Sequence, residues 1–138
     1  MRFPPFTISE HTADVCVNAY GTTRAELFSN AAASLWYYLE PVYADRDNHH
    51  TLMLSEEAPN VTYLLIAFLS EVLTYADINT AAYPDVTFNT ITDTHVTAYA
   101  QGYPVTHFAG CEIKAVTYHR AHVVYTDGIW RATFIYDI

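Results

Sequence analysis

Lysine is almost absent from this chain. Lys114 is the single lysine in 138 residues, and with Arg2, Arg24, Arg46, Arg120 and Arg131 it makes six basic residues against fifteen acidic ones. The formal net charge is −9 with the histidines neutral. Binding driven by phosphate contacts rests on clustered Lys and Arg. The six here are scattered, so neither direct nucleic-acid binding nor a polybasic membrane patch is expected. Glycine is nearly as scarce: the four, at positions 21, 102, 110 and 128, form no GxGxxG or Walker A loop, and no G-x-S-x-G elbow occurs. Phosphate-cradling loops and a nucleophile elbow are thereby dismissed, and no small-molecule substrate is expected.

Cysteine is limited to Cys16 and Cys111, which form no CxxC or Cys/His cluster. Both are expected as buried thiols. Long apolar runs are missing as well. The longest, Tyr63–Leu69, falls well short of the roughly 20 residues that span a bilayer. Met1–Phe6 has no apolar signal core, and a cytoplasmic location is expected.

What the chain does have is apolar residues, 51% of the total, with only 15% charged. That composition supports a packed core rather than disorder, and a single domain over residues 1–138 is expected. Asp14–Tyr20 alternates as a strand does. Thr23-Arg-Ala-Glu26 is a capping box. It opens a helix to about Tyr38 with Leu27, Phe28, Ala31, Leu35 and Leu39 on one stripe. Pro41 stops that helix, and Ala44–Asn48 is a loop. His49–Leu54 suits a short strand, and Ser55-Glu-Glu-Ala-Pro59 resembles a helix start. A second apolar stripe follows from Val61 to Leu73. Val86–Ile91 and His95–Ala100 form a hairpin around Thr92–Thr94. Further strands are expected at Ile113–His119, His122–Thr126 and Ile129–Tyr136, with Asp127-Gly128 as the strongest turn signal. The order favours α+β: two helices packed on a largely antiparallel sheet.

The chemistry-bearing residues are sparse. In a strand, neither His49-His50 nor His119-x-x-His122 puts two imidazoles on one face unless a bulge intervenes. Asp45-Arg-Asp47 lacks the glycine and glutamate of a calcium loop and reads as a solvated turn. Asp14 opens a strand and Asp137 is penultimate, and spacing alone does not bring them together.

Three segments resemble the archease family, in its order and over nearly the whole chain. They are Glu10-His-Thr-Ala-Asp-Val15 with the helix Glu26–Ala32, then Leu64–Leu73, and then Glu112-Ile-Lys-Ala-Val-Thr-Tyr-His119 with Trp130 and Asp137-Ile138. The resemblance implies a β-sandwich carrying an inserted strand-helix-strand-strand module. It also implies an accessory role: a non-enzymatic activator of the RtcB-type RNA ligase of tRNA splicing, promoting its guanylylation and multiple turnover. A divalent metal, calcium by the family pattern, would be held by Asp14, Asp137 and Ile138, the last through main-chain or terminal carboxylate oxygens. Lys114, His119 and His11 lie in the matching motifs and are candidates for partner contact. If Lys114 and His119 share one strand, five residues apart, they face opposite sides. Cys16 and Ala67 depart from the family pattern. Two competing readings of the same acids are a metal-dependent hydrolase built on Asp14 and Asp137, and a generic chaperone whose metal is structural.

Overall fold

A computed structural model describes residues 3–10 and 14–138. The chain runs β1 (Phe6–Glu10), β2 (Asp14–Gly21), α1 (Arg24–Leu39), β3 (Pro41–Tyr43), β4 (His50–Glu57) and α2 (Val61–Asn79), followed by β5 (Ala81–Ile91), β6 (His95–Phe108), β7 (Ala115–Thr126) and β8 (Ile129–Asp137). The first sheet has the order β1-β2-β8-β7. In the second, β6 pairs with β3, β4 and β5. Every pairing is antiparallel. The class is α+β, as the sequence indicates. The first sheet takes its strands from the two ends of the chain. The run β4-α2-β5-β6 is therefore an insertion that builds most of the second.

Local chemistry explains the helix boundaries. The Thr23 side chain accepts from the Glu26 N–H at 3.1 Å, capping α1. Glu26 returns the favour one residue earlier than a standard capping box, accepting from the Thr22 N–H at 2.8 Å. Asn60 caps α2 in the same way, accepting from the Tyr63 N–H at 2.9 Å. Glu40 and Thr80 both close their helices in the left-handed conformation. Asp127 (φ 56°) and Gly128 (φ 78°) both have positive φ, as the tight β7–β8 hairpin requires.

Three expectations are corrected. Ser55–Glu57 does not start a helix: it continues β4, because pairing with Val96 and Thr97 of β6 outweighs the local acidic pattern. The segments at Ile113–His119 and His122–Thr126 are one strand, β7, beginning at Ala115. An irregularity between Thr117 and His122 disturbs it, with Arg120 at φ 59°. Cys111 is exposed and Cys16 is half-buried, both as free thiols. By length and mean hydropathy (1.5) alone α2 would pass for a spanning helix, although its longest unbroken apolar run is short. Here its Leu64, Leu65, Ile66, Phe68 and Leu69 are buried in the core.

Both helices touch both sheets. Helix α1 lies on β2 and β8 and reaches β5, and Arg24 at its start pairs with Asp93 of the β5–β6 turn at 2.8 Å. Helix α2 covers strand edges on both sides. Thr62 accepts from the Val123 N–H of β7 at 3.0 Å, and Glu71 accepts from the Ser55 N–H of β4 at 3.2 Å. Exposed strand edges invite pairing with other chains, and α2 occupies a donor on each.

Where α2 packs on β4 the contact is mostly apolar, but it includes two acids, Glu71 of α2 and Glu56 of β4. Burial, then the charge of Glu56 and a hydrogen bond with it, push the Glu71 carboxyl up to about 7, against a smaller opposing effect of the Ser55 N–H. A carboxyl raised above its unfolded value contributes stability that is complete below about 4.5 and lost as pH rises through about 7. Glu71→Gln keeps an acceptor for Ser55 and removes the charge. Its melting temperature, relative to the parent, is expected to be higher at pH 8 than at pH 5. An equal offset at both pH values would show that Glu71 ionisation is not coupled to folding.

Candidate functional site

The register of the first sheet assembles the acids that spacing leaves apart. Asp14 opens β2 and Asp137 closes β8, and they are direct cross-strand partners. Partners of this kind hold their Cβ atoms about 4.5–5.5 Å apart on one face. The face is the outer one: the adjoining pair Val15 and Tyr136 is fully buried, whereas Asp14 is half-buried and Asp137 exposed. Ile138 follows directly and is half-buried. Two like charges placed opposite each other repel, and an oxygen-binding cation between them would remove that cost.

The segment leading into β7, on the other side of β8, contributes Lys114. It lies just before β7 rather than within it, and Ala115 is the register partner of Asp137. The Lys114 N–H donates to the Asp137 carbonyl at 2.7 Å. This fixes the main chain at the acid pair while leaving the Lys114 side chain exposed. His119 is exposed within the irregular stretch of β7. The expectation that Lys114 and His119 occupy opposite faces of one regular strand therefore fails: Lys114 precedes the strand, and the alternation breaks at His119. His11 lies outside the described residues.

The donor set suits a hard cation. Asp14 and Asp137 offer carboxylates and Ile138 offers main-chain oxygen, all ligands of the kind calcium takes. Among the described residues no group of three or more His, Cys, Asp or Glu side chains is placed to hold a metal. Two side-chain carboxylates would leave much of a six- to eight-oxygen shell to main chain, water or a partner. The Asp45–Asp47 segment is a turn, with the Asp47 N–H donating to Asp45 at 2.8 Å.

Two polar clusters are built on the hydroxyls of buried tyrosines. Ser34, the one buried polar residue of the core among the described residues, shares a hydrogen bond with Tyr136, whose hydroxyl is pushed well up by burial. His50 and Asn79 both bond the Tyr83 hydroxyl at 2.8 Å. Gly102 lies against these rings, where a Cβ would meet His50 at 2.7 Å.

Sequence reading missed the Glu56–Glu71 pair. The available signal was a single acid, Glu71, inside the stripe from Leu64 to Leu73. It also missed a cleft of about 390 Å³ between the second half of α2 and residues 110–114, which Lys114 helps to line.

The chain matches the Archease protein family over residues 6–138. It is similar to the protein archease of Methanosarcina mazei, 31% identical over 94% of this chain and 92% of the relative. Against the protein archease of Thermococcus kodakarensis the identity is 32%, over 94% of this chain and 95% of the relative. Among solved structures, it resembles a Methanobacterium thermoautotrophicum protein known in solution, with a TM-score of 0.72 and 26% identity over 97% of this chain and 99% of that one. An archease from Thermotoga maritima, described as a possible chaperone, shares the fold with a TM-score of 0.72 at 17% identity, over 100% of this chain and 98% of that one. By sequence and by fold alike, this chain belongs to the archease family.

Proposed function

We propose that this chain is a non-catalytic helper of an RtcB-type RNA ligase. It would act in the cytoplasm, promoting the ligase's guanylylation and multiple turnover in tRNA splicing. A divalent cation, calcium by the family resemblance, would be held by the carboxylates of Asp14 and Asp137 and the main-chain oxygens of Ile138, oxygen donors of the kind hard cations take. The observation that supports this reading best is the Asp14–Asp137 register pairing on an outer sheet face. A cation there keeps coordination positions open toward a partner, which distinguishes it from a closed structural site. Family membership and the chaperone description of the Thermotoga relative support the same direction. The cation would supply positive charge on a chain of net charge −9, next to the single lysine.

The test is a turnover assay with the ligase of the same organism in excess RNA. Substoichiometric wild-type protein is expected to convert single-turnover joining to multiple turnover, and folded Asp14→Ala is expected to lose at least about tenfold of that stimulation. No stimulation by the wild type would refute the helper reading. Phosphoesterase activity of the isolated protein, lost in Asp14→Asn, would favour a metal-dependent hydrolase. Full stimulation by folded Asp14→Ala would leave the metal a structural part of a generic chaperone.

A further inference from the structure

The cleft beside Lys114 has features that the acid pair does not use. Its floor is apolar, formed by Leu39, Leu73, Phe108 and Ile113. At about 390 Å³ it is at the small end of the range for binding clefts. Its rim carries Asp77 on α2, Glu112 and Lys114, all exposed. Among the described residues, none of these three charges has an ion-pair partner; the two pairs present are Arg24–Asp93 and His95–Glu57. Ile78, also on the rim, is 67% exposed.

The walls of this cleft are tied in place. The Ala109 N–H donates to the Glu40 carbonyl and the Gly110 N–H to the Leu39 carbonyl, both at 2.9 Å. A Cβ on Gly110 would run into the Tyr38 carbonyl oxygen, so glycine allows the segment to lie against the end of α1. At the other end of the segment, the Lys114 N–H holds the Asp137 carbonyl. The cleft and the Asp14–Asp137 pair are thus joined through one residue.

We propose that this cleft is a docking site for a segment of the ligase that carries an apolar side chain next to an arginine or lysine. The proposal rests on the ligase-helper reading. The apolar side chain would enter over Leu73 and Ile113. The cationic group would meet Asp77 and Glu112, which outnumber Lys114 on the rim. Charge complementarity selects this occupant over an acidic segment, because the surrounding chain is itself strongly acidic. Shared use of Lys114 would place the docked segment beside the cation-binding face, so one partner could engage both.

The experiment measures equilibrium binding of the ligase to the full chain, with four variants in parallel. Asp77→Lys combined with Glu112→Lys reverses the rim charge. Thr74→Trp fills the cleft from an exposed position. Asp45→Lys and Asp127→Lys are controls on exposed loops elsewhere, each changing net charge by two units, half the step of the double reversal. The first two are expected to weaken binding by about tenfold or more, while their calcium-dependent thermal shift stays that of the wild type. The controls are expected to bind as the wild type does. Wild-type affinity in both cleft variants would overturn the docking proposal and leave the helper reading intact. Equal weakening by the controls would reduce the effect to net charge and overturn it as well. A wild-type chain that binds no ligase would overturn both readings together.

Discussion

Phe68→Ala is expected to lower stability by about 3–5 kcal/mol, the usual cost of deleting a fully buried phenylalanine. Phe68 is 0% exposed on α2. Its ring lies 5.5 Å from Phe28 of α1 and 5.6 Å from Phe88 of β5, centroid to centroid. Phe28 in turn meets Phe88 edge-on at 6.3 Å. The three rings join both helices to the second sheet, so truncation would open a cavity where three elements meet. Neighbours held by two capped helices and a paired strand cannot collapse to fill it. For a chain of this size the loss corresponds to a fall in melting temperature on the order of 10–20 °C. Phe68→Leu, which restores most of the volume, is expected to recover a large part of it. Met53→Ala, at a position 67% exposed, is expected to change stability by under about 0.5 kcal/mol. Thermal unfolding of the three variants tests the ordering. A Phe68→Ala protein as stable as Met53→Ala would show that the ring cluster does not join the layers.

The second large effect concerns the cation. Calcium at a hundredfold excess over its dissociation constant is expected to stabilise the wild-type chain by about 2.7 kcal/mol, since a ligand that binds only the folded state shifts the equilibrium by mass action. Asp14→Ala and Asp137→Ala are expected to lose this calcium-dependent gain. In chelator the same variants are expected to melt at or slightly above the wild-type temperature, because each removes one of two like charges held opposite each other. The crossed result, a loss in calcium and no loss without it, separates a cation site from ordinary structural carboxylates. An identical calcium shift in Asp14→Ala would place the ion elsewhere.

The electrostatics of α2 add a third consideration. Glu71 accepts from the Ser55 N–H, a donor on the free edge of β4. It does so beside Glu56, so the arrangement favours a protonated carboxyl. The consequence is a joint between α2 and the second sheet that loosens as pH rises through about 7.

Local pattern was sufficient for much of this protein. The apolar stripe after Thr23, the caps, the Asp127-Gly128 turn and the alternation of β2 and β8 each depend on residues within a few positions of one another. Side-chain periodicity and turn chemistry act at that range. The family motifs were legible for a similar reason, being contiguous runs. Other features required the folded chain. Ser55–Glu57 became strand because β6 lies alongside, and Pro41–Tyr43 became β3 by pairing with the far end of the same strand. The interruption of β7 at Arg120 carries no glycine or proline to announce it. Above all, Asp14 and Asp137 are at nearly opposite ends of the sequence, and only the β2–β8 register makes them neighbours. The same holds for the cleft, whose walls come from α2 and from a segment following β6. Amino-acid order alone determined both helices and most of the strands, and its scattered basic residues argued against a basic nucleic-acid surface. Tertiary structure decided which charges face each other, because cross-strand pairing energy depends on partners that no local window contains.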